Sequence, residues 1–111
     1  MSRNRNLVAA FGVLFIAWGL LGALMGFVAQ HIPANLHFPL WVLLVLILIF
    51  IPLIRGAQRW TALGAGIVGT IVAIFELYEL TILPSSAVFG PAVALVFSAL
   101  FAFFAFRAYF E

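Results

Sequence analysis

The chain has 111 residues, 68% hydrophobic and only 7% charged, whereas a soluble domain carries roughly 25% charged residues; a core of this size could not hide so much apolar surface, so the surrounding solvent is lipid. The net charge of +2 comes from five Arg and three Glu, without Lys or Asp, which is too little for a nucleic-acid footprint. The absence of Cys excludes thiolate metal sites, disulfides and thiol catalysis, and two His without Asp make a zinc site hard to assemble.

A membrane-crossing helix needs ~20 mostly apolar residues, and four segments meet or approach that. The first covers residues 7–29. Its basic lead, "MSRNRN", resembles a signal-peptide n-region, but the apolar run is longer than the roughly 7–15 residues of an h-region. It is read as a retained helix. Gly12, Gly19, Ala23 and Gly26 fall on one narrow arc of it, with Gln30 at the end of the stripe. Trp18 lies mid-span and does not fit an interfacial anchor.

The second span covers residues 38–54 and has no seam of small residues, so it is expected to be the most lipid-exposed helix. Pro39 suits a first-turn position, and Pro52 should disturb the far end. The third span, residues 60–83, carries Ala62, Ala65, Gly69 and Ala73 on one face and Leu63, Ile67, Ile71, Ile74 and Tyr78 on the other. The fourth, residues 88–106, has a weaker small-residue stripe at Pro91, Ala94, Ser98, Ala102 and Ala105. Small seams let backbones approach closely in lipid, so the first and third helices are expected to pack together.

Every Arg falls on one side of this arrangement: Arg3 and Arg5 before the first span, Arg55 and Arg59 in the second connection, Arg107 after the fourth span. The positive-inside rule then places both termini in the cytoplasm. Trp41 and Trp60 sit at span ends, as anchors do. The halves echo one another: "IPANLHFP" answers "LPSSAVFGP", and Arg55 answers Arg107. Two readings stand: shared turn chemistry of membrane hairpins, or a duplication, which with an even number of spans per unit would be a parallel repeat with halves 1–55 and 56–111 of a single transmembrane domain.

"IFELYEL" places Glu76 and Glu79 late in the third span. Glu76 projects from the small-residue face and is expected to be buried in protein. Glu79, roughly 60° around the helix and one turn nearer the span end, is expected to reach the headgroups. No Arg is near, so the expected partners are Gln30, His31 and His37, and the pair is expected to be neutral or to share a proton. Three roles compete: a bundle-fixing hydrogen bond, a proton or cation site formed by Glu76, Glu79, Gln30 and His31, and a metal site with a loop histidine. The last is set aside, because carboxylate bundle sites use Glu-x-x-His motifs from two helices.

The fold class expected is all-α: an integral membrane protein of four transmembrane helices in an antiparallel bundle, multi-pass in the cell (plasma or inner) membrane. No catalytic set, phosphate loop, cofactor motif or metal motif is visible, so a non-enzymatic role without cofactor or metal is expected. The leading expectation is an accessory, assembly or scaffold subunit of a membrane complex or homo-oligomer. The alternative is a small homo-oligomeric proton-coupled transporter or channel using Glu76 and Glu79.

Overall fold

The computed structural model describes residues 3–56 and 58–111. It is all-helical: α1 (Arg3–Leu24), a short α2 (Phe27–His31), α3 (His37–Ile54), α4 (Arg59–Ile82) and α5 (Phe89–Phe110). Apart from α2, each is long and apolar enough to cross a membrane. The body measures 41 × 20 × 19 Å, and its long axis matches a bilayer of roughly 40–45 Å with headgroups.

The first span differs from its sequence reading at both ends. It starts at Arg3, and it breaks at Met25 and Gly26 instead of running to residue 29. Gly26 has φ 81°, the left-handed conformation, which costs an L-residue with a Cβ roughly 1–2 kcal/mol. Gly26 is therefore a hinge in the chain and takes no part in a packing seam. Gly26→Ala is expected to lower stability by about 1 kcal/mol, read as the unfolding midpoint in lipid nanodiscs. Beyond α2, Ala34–Leu36 forms a 3-10 turn after Pro33, and Ser85–Ala87 forms another after Pro84. The two echoing connections thus share a local conformation.

Lipid tails compete for apolar contact, so shape complementarity decides which helices meet. α1 borders α3 and α5, and α4 borders α5 and α3, while α1 and α4 touch only marginally. The expected pairing of first and third helices is therefore corrected: they sit diagonally. The seams receive large side chains from the helices between them. A Cβ added to Gly12 would lie 2.9 Å from Ile51 and 3.1 Å from Phe101. One added to Gly19 would lie 2.9 Å from Leu44. On α4, Gly69 accepts Phe101 and the Ala102 backbone of α5, at 2.8 and 3.0 Å from the same imagined atom. Ala62 and Ala65 are fully buried, and Ala73 is half-buried. Phe101, fully buried, fits between the notches of α1 and α4 and fills the bundle centre at mid-height.

Of the α4 face expected to meet lipid, Ile67, Ile71, Ile74 and Tyr78 are exposed and Leu63 is half-buried. α3 is the least buried of the four long helices, as its lack of small residues implied.

Arg5 departs from the picture of a solvated charge. Its guanidinium is buried and donates to the carbonyls of Ile54 (2.8 Å), Gly56 (2.8 Å) and Gln58 (3.1 Å), and to Thr61 Oγ1 (3.3 Å). It thereby satisfies carbonyls that the end of α3 leaves open and opposes that helix's dipole. Arg59 does the same for α5. Its Nε donates to the Tyr109 carbonyl at 3.0 Å, and the guanidinium lies 4.6 Å from the centre of the Tyr109 ring. Asn4 donates to Glu111 at 2.8 Å. These contacts gather the start of α1, the end of α3, the start of α4 and the end of α5 at one arginine end. The connections that carry no arginine form the other, loop end.

Candidate functional site

Because α1 and α4 stand diagonally, something must fill the space between them. At mid-height Phe101 does so. Toward the loop end no comparable side chain follows, since α1 offers Gly19, Gly22 and Ala23 there and α5 offers Gly90, Pro91 and Ala94. A cleft of about 400 Å³ results, bounded by α1, α2, α3, the end of α4 and the start of α5. A Cβ added at Gly22 would have nothing within 4 Å, which marks the open volume directly. Aromatic side chains supply much of the wall: Phe15, Trp18, Phe27, Trp41 and Phe89. Leu21, Met25, Gln30, His31 and Trp41 are exposed and form the rim.

Glu76 and Glu79 line this cleft from α4. Glu76 is 4% exposed, as the small-residue face predicted. Glu79 is 2% exposed, which overturns its reading as an interfacial residue. The packed face of α4 is wide enough to include both positions because α3 and α5 flank it on two sides. The loop end is also roofed. Ile32, Leu83 and Ala87 are buried together, with Phe27, Val28, Leu36 and Val88 against them, which covers the Glu79 side of the last turn of α4 while Thr81 and Ile82 on its other side stay exposed.

The two glutamates sit three residues apart on α4, and both are buried against the same cleft. A carboxylate has no proton to donate, so a bond between them requires one of the pair to be protonated. Glu79 Oε1 is buried without a hydrogen-bond partner among the described residues. Leaving a buried acceptor unpaired costs about 1–3 kcal/mol, more if it is charged.

The polar residues expected to partner Glu76 are placed otherwise. Gln30 and His31 are exposed on the rim, and neither bonds to a glutamate among the described residues. His31 stacks on Phe27 with ring centres 4.8 Å apart. His37 Nε2 lies 2.8 Å from the Ile32 carbonyl and 3.1 Å from that of Val28, closing the end of α2. The break at Gly26 redirects the chain, so the stripe that ended at Gln30 in a continuous helix no longer faces α4. No group of three or more metal-ligating side chains forms among the described residues.

Trp18 is the wall residue whose role the sequence left open. Its Nε1 donates to the Gly90 carbonyl at 2.9 Å, and its ring meets Phe89 edge-on at 5.9 Å. A buried indole N–H needs a partner, and Gly90 lets the first turn of α5 supply one. Trp18 thus braces α1 against α5 across the cleft.

Between the cleft and the arginine clasps, the hydroxyls of Thr70 and Ser98 are spent on their own helices. Thr70 donates to Gly66 O at 2.8 Å and Ser98 to Leu95 O at 3.1 Å. The residues lining the cleft reach no further toward the arginine end than Phe15, Leu44, Glu76 and Ala94, and the fully buried Phe101 closes the bundle beyond them. No protein-family model, curated protein or solved structure matches the chain.

Proposed function

We propose that the protein is a non-enzymatic, proton-coupled membrane carrier that binds a small ligand at Glu76 and Glu79. The burial of both carboxyl groups in the wall of a blind cleft, with Glu79 Oε1 unpartnered, carries this reading. Intramembrane carboxyl groups are costly and mark proton and substrate paths. The blind end favours a carrier over an open channel, and the cleft favours a binding role over that of an accessory subunit. In this proposal the four long helices run antiparallel across the plasma or inner membrane. The arginine end and both termini are cytoplasmic, and the cleft opens toward the outer face. Self-association, if the carrier works as a homo-oligomer, falls to α3, the least buried helix.

The coupling requires the pair to take up and release a proton. The titratable side chains that line the cleft among the described residues are Glu76 and Glu79 in its wall and His31 on its rim. α1, α3 and α5 contribute no titratable side chain to the cleft. Infrared spectra of the protein in nanodiscs, recorded across a pH series, should show a protonated-carboxyl stretch that titrates. That band should be lost in the Glu76→Gln, Glu79→Gln double variant. A band that never changes with pH, or one that survives the double substitution, would remove the basis for proton coupling.

A further inference from the structure

A proton alone does not account for the cleft. About 400 Å³ lies within the range of small-molecule pockets, roughly 300–1,000 Å³. Its lining is mostly apolar and aromatic, with the two carboxyl groups on the α4 wall and Gln30 and His31 on the rim. An ordered water needs 2–4 polar partners, and most of this volume offers none. A lipid tail would satisfy the apolar wall and leave Glu79 Oε1 without a partner. An anion would meet two carboxyl groups. Ca2+ and Mg2+ take six or more oxygen ligands and Zn2+ at least three protein ligands, whereas no group of three or more metal-ligating side chains forms among the described residues.

An occupant that satisfies both surfaces has a cationic N–H donor at one end and an apolar body at the other. We propose that the cleft binds a hydrophobic organic ammonium ion, its N–H groups donating to Glu79 Oε1 and Glu76 and its body lying against Trp18, Phe15, Trp41 and Phe89. Charge-assisted N–H···O bonds are the stronger class. Binding one ammonium displaces the shared proton from the carboxyl pair, so charge is conserved in the site. This assignment rests on the reading of the cleft as a proton-exchanging site and names the ligand class for it.

The test uses 4-phenylbutylammonium and its neutral counterpart 4-phenylbutanol, titrated against the protein in zwitterionic nanodiscs, with tryptophan fluorescence and calorimetry as readouts. The ammonium should bind saturably and the alcohol at least about tenfold more weakly, as expected for one charge-assisted hydrogen bond. Glu79→Gln should weaken the ammonium by a similar factor. Gly22→Phe fills open space without touching the carboxyl groups, and it should abolish binding of both probes. In the wild-type protein, infrared spectra should show the protonated-carboxyl band converting to carboxylate when the ammonium is added, and not with the alcohol. This last measurement needs no variant to fold. Equal affinity for ammonium and alcohol, undiminished binding by Gly22→Phe, or no saturable binding at all would overturn the assignment. A carboxyl band that titrates with pH while no ammonium binds would leave proton exchange standing and reject the ligand class alone.

Discussion

Truncating Phe101 to alanine is expected to cost about 2–3 kcal/mol, the cavity term of ~24 cal/mol per Å³ applied to about 100 Å³ of lost side chain. In water a Phe→Ala change would also lose the transfer free energy of the ring. Here the separated helices would hold that ring in lipid, so transfer contributes little and packing contributes most. Phe101 is fully buried and sits against the notches at Gly12 and Gly69. Lipid cannot follow into the space it leaves. The measurement is the unfolding midpoint in nanodiscs. A double-mutant cycle gives a sharper check. Gly12→Ala crowds Phe101 and Ile51 in the wild type, and its penalty should shrink in the Phe101→Ala background. Additive penalties would mean that the ring does not occupy the Gly12 notch.

Replacing Arg5 by methionine is expected to cost about 2–4 kcal/mol, since buried carbonyls lose a charged donor and about 1–3 kcal/mol follows each acceptor left unpaired. The methionine keeps the aliphatic volume and removes the four bonds to Ile54, Gly56, Gln58 and Thr61. Arg5→Lys retains the charge but not the planar fork, so it should recover part of the loss. Stability and orientation separate here. Cysteines placed in the loop end and at the carboxy terminus, probed with an impermeant reagent, should keep the same sidedness in both variants, because four arginines remain at that end. Equal stability of Arg5→Met and the wild type would show that water, not the guanidinium, satisfies those carbonyls.

The spans, the arginine asymmetry and the lipid-facing side of α4 were legible because each follows from composition, spacing or helical period. The partners of the small-residue seams were not. A seam at Gly12, Gly19 and Ala23 says where α1 can be approached closely, and it does not say by what. The structure answers with Ile51, Leu44 and Phe101, bulky residues whose own helices gave no seam or a weak one. Glu79 was misplaced for a related reason. Its depth was counted along an isolated helix, whereas its burial comes from the roof built by Ile32, Leu83 and Ala87. That roof depends on the break at Gly26, and a single glycine in an apolar run carries no sign of whether it will turn left-handed. Arg5 was read as one charge among five. Its first-turn position does not show that the carbonyls of α3 and the following loop lie within its reach.

The two guanidinium clasps have a mechanical consequence. Arg5 ties the end of α3 to the start of α4 from α1, and Arg59 ties the start of α4 to the end of α5. The opposite end is held by a small apolar cluster, the bond from Trp18 to Gly90 and the contact of His37 with the carbonyls at the end of α2, with no charged guanidinium among the described residues there. Polar staples resist separation over a narrow range of distance, while an apolar patch facing lipid tails resists it weakly. The molecule is built like tongs, stiff at the pivot and compliant at the tips. Its amides should exchange hydrogen fastest around α2 and the first turn of α5, and slowest beside Arg5 and Arg59. A ligand the size of the cleft would then be admitted by spreading the tips, with the pivot unmoved.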